Sequence, residues 1–225
     1  FICFANAIID KLAAWSGSIS LQDVEFHGRE AIQKHLQQGQ GLLILGSHLG
    51  NLEVGRVMAY LGKKVTVNVL VHTQHAKKFN TLLSRYAEAG TMNLIQVTEV
   101  TAATAMLLQD RIEAGEPVGI AADRTPGTGR GRVAKAGFLG KTALFPQGPF
   151  ILASLLKCPV YALFCLKQHG KQVIYFEHFS DGLSFPRKQR DAMIQRYAQA
   201  FADKLQHYCL QEPLQWFNFY DFWQI

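Results

Sequence analysis

A single α/β domain with a mostly parallel central sheet flanked by helices is the fold this sequence predicts. Three observations predict it. Apolar runs of strand length alternate with helical patterns along most of the chain. One of those runs, GLLILG at 41–46, is apolar without a break, as a strand covered on both faces must be. Finally, no repeat, low-complexity tract or linker divides the 225 residues, so 1–225 reads as one domain, long enough to bury a real core.

The elements follow in order. Residues 2–15 carry apolar positions at helical spacing. VEFHGREAIQKHLQQGQ predicts a short strand and then a helix ending near Gly39, and GLLILG is the next strand. LEVGRVMAYLG is helical and stops at Gly62; KVTVNVLV at 64–71 is a strand. HAKKFNTLLSRYAEAG predicts a helix ending at Gly90, a favoured residue just past a helix C-terminus. MNLIQV predicts a strand, TAATAMLLQDRIEAG a helix and EPVGIAAD a strand. A glycine-rich 125–148 stretch reads as loop, followed by a helix over PFILASLLK. CPVYALFCLK and KQVIYFEHF pair as strands across 168–171. PRKQRDAMIQRYAQAFADKLQHYCL is a long amphipathic helix, with Pro186 acceptable in its first turn, and an aromatic tail, WFNFYDFW, closes the sequence.

Composition removes several function classes. Cys3, Cys158, Cys165 and Cys209 show no CxxC spacing and sit among apolar neighbours, which argues against a disulfide framework or a zinc site. No apolar run reaches the ~18 residues of a membrane span. FICFANAIIDKLAAW has neither a basic start nor a small-residue cleavage site, and it opens inside a helical pattern without an initiator Met; an upstream, membrane-associating segment is therefore expected. The net charge of +6 is uneven, since 124–141 carries five Lys/Arg and no acid. Such a stretch serves nucleic acid, an anionic membrane or a phosphorylated substrate, or simply faces solvent.

The chemistry centres on GSHLGNLE at 46–53. In an unbroken helix, residues five apart diverge by ~140°, so His48 and Glu53 meet only if the chain bends between them. Gly50 and Asn51 suit that bend. Glu53 then falls in the first helical turn, from where its carboxylate can accept the proton on one imidazole nitrogen and leave the other as a base. The other reading of the same spacing is a helix N-terminus with a stray histidine and a capping glutamate. Spacing alone leaves both open.

GSHLGNLEVG resembles the HxxxxE form of the HxxxxD/E motif of the lysophospholipid acyltransferase superfamily, and within it the bacterial lipid A late acyltransferases. EPVGIAADRTPGTGRG stands where the superfamily's second block brings an acidic residue to the site. GFLGKTALFPQGPFILASLLKCPVYALF and the ending PLQWFNFYDFW are similar to that branch as well, so the likeness runs from about residue 25 to the end. It implies a glycerolipid acyltransferase-like fold, His48 as general base, Glu53 as its orienting partner and Asp123 as a further catalytic residue. On the same basis Arg124 is a second-block residue, Gly148 allows close backbone approach, and Arg85 is set against a family arginine. With Asn51, Arg130 and Arg132, these make up the substrate-binding candidates; Lys135 belongs to the same basic loop. Departures from the pattern bear on the acceptor: this chain has Asp123-Arg124 where lipid A enzymes have D-x-D or D-Q, and Phe145-Pro146-Gln147 where they have polar threonines.

The expected reaction moves a fatty acyl group from an acyl carrier protein or coenzyme A thioester to a hydroxyl or amine of a lipid or glycolipid acceptor, with no metal, no bound cofactor and no nucleic acid. The expected setting is the cytoplasmic face of the bacterial inner membrane, peripheral or anchored. Direct transfer needs no covalent stop on the enzyme, which fits the absence of a G-x-S-x-G elbow. Ser47 is then a turn-capping hydroxyl, and backbone N–H groups around Gly50 or a basic side chain are the candidates for stabilising the oxyanion. His72 and His75 share H-x-x-H spacing but lack a third ligand. The alternatives are a serine- or metal-dependent hydrolase using Ser47 or these histidines, and a non-catalytic lipid- or nucleic-acid-binding module built on the basic loop.

Overall fold

A computed structural model describes residues 2–16, 18–19, 21–55, 66–71, 92–96, 101–125 and 132–223. The helices expected to end at Gly62 and Gly90 lie outside the described residues beyond position 55, as do Arg85, Arg130, His72 and His75.

Nine strands are described: β1 (Val24–His27), β2 (Leu43–Gly46), β3 (Val67–Val71), β4 (Met92–Gln96), β5 (Val118–Ala121), β6 (Val133–Phe138), β7 (Lys141–Pro146), β8 (Val160–Gln168) and β9 (Lys171–Ser180). Seven form one sheet in the order β1-β9-β8-β2-β5-β3-β4. Every pairing in that sheet is parallel except β8 with β9. The helices are α1 (Ile2–Trp15), α2 (Arg29–Gln37), α3 (Ala102–Glu113), α4 (Gly148–Leu156) and α5 (Arg190–Gln211).

The unbroken apolar run of β2 is explained by what covers it. Leu43 and Leu45 face one side, among Leu108 and Ile112 of α3, Phe150 of α4, and Phe201 and Leu205 of α5. Leu42 and Ile44 face the other, among Ile32 and Leu36 of α2. With both faces buried, alternation would put a polar group into the core on every second residue.

One element departs from expectation. The 125–148 stretch read as loop contains the β6–β7 hairpin, a separate two-stranded sheet. Residues 133–138 alternate exposed and buried, the signature of a half-buried strand, in a segment whose glycines suggest loop. Both hairpins turn on two residues at positive φ: Leu139 and Gly140 in one, His169 and Gly170 in the other. The open edge of β6 is closed by glutamines of α5. Gln199 Oε1 accepts the Gly137 N–H at 2.8 Å while its Nε2 donates to the Gly137 carbonyl at 3.0 Å. Gln206 Oε1 accepts the Leu139 N–H at 2.6 Å. Side-chain amides thus stand in for a missing neighbour strand.

Candidate active site

His48 and Asp123 are 75 residues apart and meet because two strands share a register. β2 and β5 are parallel neighbours in which Gly46 pairs with Ala121. Two residues beyond each strand, at the carboxyl edge, come His48 and Asp123. Open α/β sheets bind ligands at this edge. The ladder continues past the strands, with the Ala122 N–H donating to the Gly46 carbonyl at 2.9 Å.

Asp123 is 1% exposed and uses both carboxylate oxygens on one residue. Oδ2 accepts the backbone N–H of His48 at 2.7 Å, and Oδ1 lies 2.8 Å from His48 Nδ1. An ionised carboxylate only accepts, so the ring proton sits on Nδ1 and Nε2 is the nitrogen left to take another. The His48 side chain remains 37% exposed, so the ring is reachable.

The bend read at Gly50 and Asn51 is present. Gly50 has φ 71°, and a Cβ there would collide with the Cys165 carbonyl oxygen of β8. Asn51 Oδ1 accepts the Glu53 N–H at 3.2 Å, an Asx turn that starts the next helical turn. The carboxylate seen at Nδ1 is a different one from that expected. Nδ1 of His48 is engaged by Asp123, whereas the sequence assigned that place to Glu53; the Glu53 carboxylate lies 3.5 Å from Lys11 Nζ on α1. The parallel register of β2 and β5 brings Asp123 to the ring from 75 residues away.

The other candidates divide. Asn51 is buried beside the histidine turn, and its Nδ2 has no hydrogen-bond partner among the described residues. Arg124 does not extend towards open space: Nη2 donates to the Phe217 carbonyl at 2.5 Å and the guanidinium lies 5.8 Å from the centre of the Tyr220 ring. Arg132 and Lys135 are exposed near and on β6, and Gly148 is the first residue of α4. Ser47 is fully buried, with Oγ accepting the Leu49 N–H at 3.3 Å, which matches a turn-capping hydroxyl. Among the described residues, no three His, Cys, Asp or Glu side chains group to hold a metal.

The backbone donors around Gly50 are also occupied. Gly50 N–H donates to the Gln215 carbonyl and Asn51 N–H to the Cys165 carbonyl, both at 2.8 Å. The Gln215 contact introduces what the sequence did not reveal: the segment after α5 is a wall of the site. Leu49 bridges Trp216 in antiparallel sense, and the Phe217 N–H donates to the His48 carbonyl at 3.3 Å. An aromatic tail signals packing, and nothing in its composition specifies which loop it packs against.

No curated protein matches the chain. The family comparison does match: residues 5–224 fit the bacterial lipid A biosynthesis acyltransferases, almost the whole of the fold described above. The chain belongs to the bacterial lipid A biosynthesis acyltransferase family.

Proposed function

We propose that the chain transfers a fatty acyl group from an acyl carrier protein or coenzyme A thioester to a hydroxyl or amine of a lipid or glycolipid acceptor, with His48 as general base. The observation that carries this reading is the 2.8 Å contact between Nδ1 of a half-exposed histidine and a buried carboxylate, at the carboxyl edge of the sheet. Nε2 takes the proton from the acceptor hydroxyl as its oxygen attacks the thioester carbon. Asp123 stabilises the imidazolium that forms. The tetrahedral intermediate then collapses, the carbon–sulfur bond breaks, and the proton on Nε2 passes to the leaving thiolate. Ester forms, thiol leaves, and the ring returns to its starting state.

The oxyanion needs a donor, and the N–H groups of His48, Leu49, Gly50 and Asn51 all have partners. Asn51 Nδ2, buried and without a partner among the described residues, is the donor proposed for it. Arg124 contributes indirectly by holding the tail, and Arg130, Arg132 and Arg85 are the proposed contacts for donor or acceptor phosphates. Glu53 supports the turn through Lys11 and its own N–H.

The proposed setting is the cytoplasmic face of the bacterial inner membrane. No helix among the described residues is long and apolar enough to cross a membrane. A serine hydrolase reading is disfavoured by Ser47, whose Oγ is buried and bonded within the turn.

The test is lipid mass spectrometry of cells with and without the gene, combined with acyl transfer by purified variants. His48→Ala loses the acylated product, and Asp123→Asn lowers kcat by about 10²-fold or more by disfavouring the productive tautomer. Glu53→Gln falls between wild type and Asp123→Asn. Wild-type turnover in Asp123→Asn removes the dyad from the reaction.

A further inference from the structure

Residues 48–51 lie between two backbone walls. Strand β8 is one: Asn51 N–H donates to the Cys165 carbonyl, and Gly50 forms an isolated parallel bridge with the same residue. The tail is the other, through the Gln215 carbonyl, the Leu49–Trp216 bridge and the Phe217 N–H. A strand is a fixed wall. A tail at 213–217, beyond the last long helix, must be held in place by something else.

The Gln215 side chain holds it. Gln215 is buried, in a segment with exposed neighbours at 213 and 214. Its Oε1 accepts the Lys167 N–H at 2.8 Å, and its Nε2 donates to the Lys167 carbonyl at 2.7 Å and to Glu212 Oε2 at 3.0 Å. An amide that engages both backbone groups of one residue imitates a rung of a β-ladder. Lys167 lies two residues beyond Cys165 on β8. Gln215 therefore grips β8 with its side chain and the histidine turn with its own carbonyl, joining the two walls through one residue.

We propose that Gln215 is a positioning residue for His48. With the clamp intact, Gly50 is fixed between Cys165 and Gln215, and the ring keeps one height against Asp123. Without it the tail is free to slide along β8, and His48 loses the N–H of Phe217 and its constraint through Gly50. A displacement of about 1 Å at the base is enough to slow a proton transfer by up to ~10²-fold. The catalytic consequence rests on the proposed role of His48 as base; the positioning itself does not.

The experiment therefore has a readout that does not depend on turnover: the downfield proton NMR resonance of His48 Nδ1–H, assigned by its absence in His48→Gln. Gln215→Met keeps length and apolar bulk but loses all three side-chain bonds. It is expected to broaden or abolish the resonance and to lower kcat by roughly tenfold or more at nearly unchanged KM. Gln215→Glu adds a rescue: protonated, it offers one donor and one acceptor to Lys167 as glutamine does; ionised, it sets a carboxylate against the Lys167 carbonyl. Its resonance should be sharp in acid and lost as pH rises, which keeps the proposal testable should the methionine variant fail to fold. Gln211→Ala, an exposed position bonded to His207 and Gln168, leaves the resonance unchanged. An unaltered resonance at all pH values in folded Gln215→Met or Gln215→Glu overturns the proposal. A resonance that follows Gln215 in a protein showing no acyl transfer upholds the positioning and rejects the functional reading.

Discussion

Asp123 fixes the ring and the backbone N–H of the same residue, so a histidine two residues past a strand gains the rigidity of the strand itself. Asn51 has the complementary arrangement, with Oδ1 used in the turn and Nδ2 without a partner among the described residues. Asn51→Asp separates the two atoms, because the carboxylate still accepts the Glu53 N–H but has no donor. Its expected effect is a kcat loss of about 10²-fold with the fold retained, measured by steady-state transfer and thermal melting. The cysteines yield a second prediction. Burial pushes the Cys158 thiol up to about 11 and the Cys165 and Cys209 thiols up to about 12, the last with help from the nearby Asp123 charge. Raised values keep these thiols protonated at pH 8, and alkylation requires the thiolate. Iodoacetamide should therefore modify native protein at Cys3 alone and all four cysteines in denaturant, as read by peptide mass spectrometry. At this scale the sequence pointed to His48 and Asp123, which meet in the structure, but it set Glu53 against the ring nitrogen that Asp123 engages. His48 and Glu53 are neighbours in sequence, whereas the Asp123 contact spans a register between strands 75 residues apart.

The turn from β2 into residues 48–51 works as an element because glycine permits two conditions together: positive φ and contact with the Cys165 carbonyl. Gly50→Ala violates both. Stability should fall by at least about 2 kcal/mol in urea unfolding, and activity should fall further than stability explains, because relief of the overlap moves His48. The bend could be read in advance, since Gly-Asn has few other uses between an apolar strand and a helical pattern. The strand order could not. β5 lies between β2 and β3 although it follows both in sequence, and periodicity carries no information on adjacency. The β6–β7 hairpin was hidden for a different reason. Its turn begins with Leu139, an unusual residue at positive φ, and its edge is stabilised by glutamines of α5 more than 55 residues away. The β8–β9 hairpin was legible because long apolar strands flank a polar turn.

Across the described molecule, the tail that walls the site also meets exposed apolar side chains of α1. Phe4 of α1 packs edge-on against Phe217 and Phe219, with ring centres 5.4 and 5.2 Å apart. On the same helix Ile2, Ile8, Ile9 and Leu12 are exposed, as are Leu214 and Phe219 of the tail, with Ile9 at 62% and Phe219 at 76%. A patch of this kind on a chain of net charge +6 is suited to an anionic bilayer, which takes apolar side chains below its headgroups and attracts the basic surface. The site is joined to the same patch, because Phe217 is both the neighbour of Phe4 and the donor to His48. A lipid substrate arriving from the bilayer would then meet His48, the proposed base, without leaving the surface. Two substitutions test the apolar contribution: Ile9→Glu and Phe219→Glu each replace exposed apolar area with charge at positions outside the His48–Asp123 contact. Each should weaken sedimentation with vesicles rich in anionic lipid, and the pair should weaken it more. Raising salt should weaken the wild type as well, because the electrostatic part is screened within about 10 Å at 0.1 M. Turnover of a short, water-soluble acceptor should change little in either variant, since His48 and Asp123 are untouched, whereas turnover of bilayer-embedded acceptor should fall with binding. Equal sedimentation by wild type and the double variant would mean that this face does not meet the lipid.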